Sequence, residues 1–194
     1  FICNDCAVHD VVYRGGLGST MNRLVWCLLL LFSMVVNAST LPVNPPLARV
    51  YLPQLKQETL KYWPEATPRS IVAAQVEQES CISLKSKRCW NPRVELKTSR
   101  EYGFGLGQLT ITSRFNAWEE VKAMDRSMRD WQWEDRYNAS YQLRAIVLKN
   151  RANYRRVVKY TNRVSTQMAF TMAAYNGGLG GLMKDRTVCI NTSG

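Results

Sequence analysis

The chain has 194 residues and a mass of 22.2 kDa, the size of one domain. Apolar residues make up 46% and charged residues 21%, which excludes wholesale disorder and allows a sizeable core. Lys and Arg outnumber Asp and Glu by 26 to 15, for a net charge of +11; charge therefore favours a polyanionic partner, whether nucleic acid, an anionic membrane face or an acidic wall polymer. The one histidine, His9, lies near the start of the chain, which argues against a Ser-His-Asp triad, a Cys-His pair or a His-based zinc site.

Residues 1–20 contain no Met and no sustained periodicity, and Met21 reads as the true start, with 1–20 as upstream sequence. Arg23, an apolar run from Leu24 to Val36 and the Val36-Asn37-Ala38 site follow the plan of a secretory signal peptide over residues 21–38. The run is shorter than the roughly 20 apolar residues of a membrane span. Cys27 is too early for a lipoprotein cysteine, and the Cys3–Cys6 pair has no partner ligands. Export would place Cys81, Cys89 and Cys189 in an oxidising compartment. Cys81 and Cys89 close a short loop and are expected to form a disulfide, with the partner of Cys189 beyond a truncated end.

Residues 39–47 are Pro-rich and read as a linker, with the domain over 48–194. Val50, Leu52, Leu55 and Leu60 predict a helix from about Ala48 to Trp63, ended by Pro64. Thr67-Pro68 reads as a cap and first turn of a second helix, through Val72 and Val76 to Ser80. Cys81 to Glu101 reads as irregular, and Tyr102 to Leu109 as a Gly-rich turn. Ser113 is the expected cap of a helix through Phe115, Trp118 and Val121. Another helix is expected over Asp135–Asn150, and one from Ser165 to Tyr175, stopped by Gly177-Gly178. No period-2 strand stands out. The expected fold class is all-α, or mainly α.

Three motifs carry the chemistry: Glu77-Gln78-Glu79-Ser80 at a helix end, Tyr102-Gly103-Phe104-Gly105-Leu106-Gly107-Gln108-Leu109, and Ala173-Ala174-Tyr175-Asn176-Gly177-Gly178. In this order and spacing, on an exported helical chain, they resemble the lysozyme-like lytic transglycosylases that cut bacterial peptidoglycan. The resemblance spans roughly residues 65–185. The family pattern is a Glu-Ser at a helix end, a Gly-Leu-Met-Gln turn and an Ala-Tyr-Asn-Ala-Gly helix end. This chain has Gly107 in place of the Met and Gly177 in place of the second Ala, which leaves the subfamily open.

The resemblance implies a lysozyme-like fold and maps the catalytic acid/base onto Glu79. The residues agree independently. Glu79 follows Val76 by three positions and Val72 by seven, so it projects from the apolar side of its helix. The helix C-terminus and partial burial both disfavour its charge, which suits an acid that protonates a glycosidic oxygen. Glu77 lies on another side of the helix, toward Ala73, Ala74 or solvent. By resemblance, the turn holding Gly105 and Leu106 lines the sugar cleft, Gln108 contacts substrate beside the acid, and Tyr175 positions that region. Asn176 joins the substrate-binding set, although with the following glycines it also reads as a helix C-cap. Glu101 is a candidate second carboxylate that would serve a water; a lytic transglycosylase does without one, because the substrate's own C6 hydroxyl attacks. Glu119, Glu120, Glu134 and Asp135 read as ordinary charged helix faces.

From Arg144 to Arg163 the chain carries Arg144, Lys149, Arg151, Arg155, Arg156, Lys159 and Arg163 with no acid. With Tyr154 and Tyr160 interleaved, this stretch reads as a nucleic-acid contact, as attraction to an anionic wall or membrane, which suits an exported chain better, or as a solvated helix face. Trp118, Trp131 and Trp133 are expected mainly in the core. The expectations together are an exported peptidoglycan-cleaving enzyme, periplasmic or extracellular, needing no metal or organic cofactor. Its partners would be glycan strands and a secretion, conjugation or phage apparatus, with transient membrane contact through the signal segment and no nucleic acid. The alternatives are a hydrolytic muramidase on the same fold and a silent wall-binding module.

Overall fold

The computed structural model describes residues 45–81 and 85–192, with side chains as far as 187. The upstream segment, the signal peptide, most of the linker and the side chain of Cys189 lie outside the described residues. The fold is mainly helical, with five helices and a three-stranded sheet among the described residues.

Helix α1 spans Pro46–Tyr62 and takes in the end of the expected linker. Helix α2 spans Ser70–Ser80. Its cap position is Arg69, with no side-chain cap, and Thr67-Pro68 is a cis peptide two residues upstream instead of the expected cap and first turn. The expectation of no strands is corrected by β1 (Glu95–Lys97), β2 (Glu101–Phe104) and β3 (Leu109–Thr112), paired antiparallel in the order β1-β2-β3. Phe104 faces both Glu95 and Leu109 across the sheet. Helix α3 spans Ala117–Met124. Its cap is Asn116, not Ser113: the Asn116 side chain accepts from the Trp118 and Glu119 N–H groups at 3.1 and 3.2 Å.

Helix α4 spans Ala139–Val157 and is the central element, packed against α1, α3 and α5. Leu143, Ile146 and Val147 face inward along it. The expected start at Asp135 is instead a 3-10 turn over Trp133–Asp135, and Asn138 caps α4. Helix α5 spans Val164–Thr192 with a break at Gly178, whose φ of 70° and ψ of 166° leave the helical region. The Gly177-Gly178 stop is thus real, but the chain resumes as helix beyond it. Val157, Ala174 and Leu182 form a small core of their own under the two segments.

The main core runs from Leu55 and Trp63 through Val72, Val76, Leu106 and Leu109 to Ile146 and Leu148. Trp118 and Trp131 are buried in it, edge to face at 6.1 Å, and Trp133 is half-buried against Trp118 at 5.3 Å. The basic stretch is not one solvated face. Arg144 turns inward to Glu58 in a bidentate pair at 2.9 and 3.0 Å, and Arg151 donates to the Tyr62 carbonyl at 2.8 Å. Arg155, Arg156 and Lys159 remain exposed. Among the described residues no helix is long and apolar enough to cross a membrane.

Candidate functional site

A cleft of about 750 Å³ opens where the end of α2, the β2–β3 sheet, α3, α4 and the α5 break converge. Glu79, Gln108, Tyr175, Asn176 and Glu101 all line it. Three motifs far apart in the chain therefore meet at one surface.

Helix α2 delivers Glu79. One turn before it, Gln75 is buried and accepts from the Asn150 amide of α4 at 2.5 Å. Residues four apart share a helix face, so this bond turns the Glu79 side of α2 toward α4. Ser80 then ties the helix end to the following loop. Its hydroxyl donates to the Val76 carbonyl at 2.6 Å and accepts from the Trp90 N–H at 3.0 Å. The Cys81–Cys89 disulfide closes the same loop. Glu77 does not face Ala73, Ala74 or open solvent alone, because the Trp90 indole N–H donates to its carboxylate at 3.3 Å. The two neighbouring carboxylates of the motif thus have separate places, one bonded to the loop and one in the cleft.

Burial raises the Glu79 carboxyl from 4.5 to about 7, against a weaker opposing pull from the Lys149 charge. Near neutrality this carboxyl exists in both forms and can give or take a proton. Glu101 lines the cleft from an exposed position at the start of β2.

The Gly-rich turn divides into lining and support. Gly103 and Gln108 line the cleft. Gly105 and Leu106, expected there, do not: both are buried, and the turn's inner side rests on Gln142 of α4. The Gln142 carbonyl oxygen accepts from the Leu106 N–H at 2.8 Å, and its amide donates to the Pro92 and Arg136 carbonyls at 2.9 and 2.7 Å. Gly105 has φ +76°, and a methyl group there would lie 2.5 Å from the Gln142 amide, a space only glycine leaves open. Gln108 points its amide back onto the Gly105 carbonyl at 3.0 Å.

Tyr175 is buried at the cleft wall and donates to the Gly107 carbonyl at 2.8 Å. A methyl group at Gly107 would sit 2.5 Å from the Tyr175 hydroxyl and from Ile146, so the absence of a side chain at Gly107 makes room for this contact. Burial, with the charges of Glu79 and Glu120 behind it, pushes the Tyr175 hydroxyl well above its usual range, and it stays a neutral donor. Asn176 is exposed at the cleft edge, two residues before the break at Gly178.

The cleft also holds residues that sequence reasoning passed over. Lys149 and Glu120 line it and form an ion pair at 3.7 Å. The Lys149 ammonium lies 4.8 Å from the Tyr175 ring centre. Lys149 had stood out only as one of seven basic residues, and Glu120 as an ordinary helix-face acid. Arg88, Asn153 and Arg156 add to the polar lining. No cluster of three or more metal-ligating side chains occurs among the described residues. No protein-family model, curated protein or solved structure matches the chain.

Proposed function

We propose that this chain is an exported peptidoglycan lytic transglycosylase on a lysozyme-like fold, acting in the periplasm or outside the cell. The observation that carries this reading is the Glu79 carboxyl, raised to about 7 in the wall of a cleft that Gln108, Tyr175 and Asn176 also line. The bond cut is the one between N-acetylmuramic acid and N-acetylglucosamine. The protonated Glu79 gives its proton to the glycosidic oxygen as the C1–O bond breaks, and the electron pair leaves with that oxygen. The C6 hydroxyl of the muramic residue then attacks C1, and the Glu79 carboxylate takes the hydroxyl proton. The product is a 1,6-anhydro end, and Glu79 returns to its protonated form. Tyr175 and Gln108 hold the wall beside the acid, and the excess of positive charge on the chain suits an anionic wall.

The test is digestion of purified peptidoglycan by the full chain and by Glu79→Gln, with products read by mass spectrometry. Anhydro-muramic ends from the first and none from the second are expected. Products one water heavier would instead make the enzyme a hydrolytic muramidase; the presence of Glu101 in the same cleft makes it the residue to substitute next. Wall binding without release would mean a silent binding module.

A further inference from the structure

The Glu120–Lys149 pair has no place in the steps above, yet it is built into the wall that holds the acid. Lys149 projects from α4 with its side chain 12% exposed, against Glu120 of α3 at 3.7 Å. Its ammonium also lies 4.8 Å from the Tyr175 ring centre and 5.4 Å from that of Phe115. A buried ammonium is costly without an opposing charge. Glu120 supplies one from α3 and Glu79 a second from α2: both charges favour the ammonium form against the burial that disfavours it.

From this arrangement we infer that the Lys149–Glu120 pair sets the proton affinity of Glu79, with Lys149 as the positioning counter-charge for its carboxylate and Glu120 as the brake on that charge. The inference rests on the acid/base reading of Glu79 for its purpose, but not for its test.

The chemistry requires such a balance. Once Glu79 has given its proton away, a carboxylate stands in a partly dry wall. The nearby ammonium stabilises it there until the C6 hydroxyl returns a proton. An unopposed ammonium would do harm twice. It would hold Glu79 ionised at rest, and it would oppose the positive charge that develops at C1 when the glycosidic bond breaks. Glu120, 3.7 Å from the ammonium, opposes that field at rest. The other charged and titratable groups of the cleft are Arg88 on the disulfide loop, Glu101 on β2, Arg156 about two turns further along α4, and Tyr175 on α5. Glu77, on the acid's own helix, is turned onto Trp90.

The experiment is a carboxyl NMR titration of Glu79 in the full chain labelled at Glu, its signal assigned by its loss in Glu79→Gln. Lys149→Met should raise the Glu79 midpoint by about one pH unit and Glu120→Gln should lower it by about as much. The double variant should return close to the parent, and Lys149→Arg, which keeps the charge, should leave the midpoint in place. The alkaline limb of glycan release should move the same way; at pH 7 the Glu120→Gln shift alone removes about fivefold of the protonated acid. A simple packing role predicts loss of activity without opposite shifts. Midpoints that stay put, move the same way in both single variants, or move as far with Arg as with Met would overturn the inference. If Lys149→Met does not fold, Glu120→Gln decides alone: a downward shift supports the inference and no shift overturns it. Opposite shifts in a chain that releases no glycan would sink the transglycosylase reading and leave the pair's control of Glu79 standing. Release with unmoved midpoints would do the reverse.

Discussion

Replacing Glu79 by Gln should cripple the chemistry and stabilise the protein at the same time, with a pH dependence that identifies the cause. The carboxyl titrates at about 7 in the folded chain against an ordinary 4.5. Between those values the folded state holds a proton that the unfolded state has released. Stability contributed by this group is therefore complete below pH 4.5 and falls as pH rises, at about 1.4 kcal/mol per pH unit, until it levels off above 7. The full loss is about 3 kcal/mol, and partial exposure of the side chain brings the working figure to about 2 kcal/mol. Gln is nearly isosteric and does not titrate. Glu79→Gln should gain about 2 kcal/mol over the parent at pH 8.5 and close to nothing at pH 4. Urea unfolding at both values, with the disulfide intact, measures this. A gain of the same size at both values, or none at pH 8.5, would refute the assignment of a buried acid. Glycan release should fall by about 10²- to 10⁴-fold in the same variant.

Release by the parent chain should be full below pH 7 and drop about tenfold by pH 8, as the acid loses its proton; a profile rising through pH 7 would mean Glu79 begins the reaction as a base. Gly105→Ala should cost about 2 kcal/mol in thermal unfolding, because φ +76° and the Gln142 amide at 2.5 Å leave no room for a methyl group; an unchanged melting temperature would show that the turn has slack. Arg144→Met should cost about 3 kcal/mol by leaving Glu58, 9% exposed, without its bidentate partner, whereas Glu58→Met with Arg144→Met should recover most of it.

Much of the helical framework is legible in the sequence, because long elements repeat their apolar residues often enough to reveal a period. Pro64 follows the end of α1 at Tyr62, as its inability to continue a helix dictates. The sheet was not legible. Its strands are three or four residues long, the residues of β1 are all exposed, and Gly103 interrupts β2, so no stretch alternates for long enough to be read. The expected α3 cap, Ser113, falls inside the turn closed by the Thr112 N–H on the Phe115 carbonyl, and the helix is capped three residues on by Asn116, a residue type that caps equally well. At Gly178 a glycine stop was read correctly as a break but wrongly as an end, because the apolar face of Leu179, Leu182 and Met183 finds its cover in Val157 and Phe170, elsewhere in the chain.

The candidate site divides along the same line. Glu79 was legible because local spacing places it on the side of α2 that carries Val72 and Val76, both fully buried. Gly105 and Leu106 are misplaced because one short run does two jobs: its ends, Gly103 and Gln108, line the cleft while Gly105, Leu106 and Gly107 lie against α4, and residue type does not say which. Lys149 and Glu120 were illegible for a different reason. Nothing local distinguishes Glu120 from Glu119, which is exposed, or Lys149 from its basic neighbours. What sets the pair apart is that α3 and α4 pack together and bring opposite charges within 3.7 Å, beside an acid that arrives on a third helix. A motif can identify the group that moves a proton; the packing of three helices decides how tightly that proton is held.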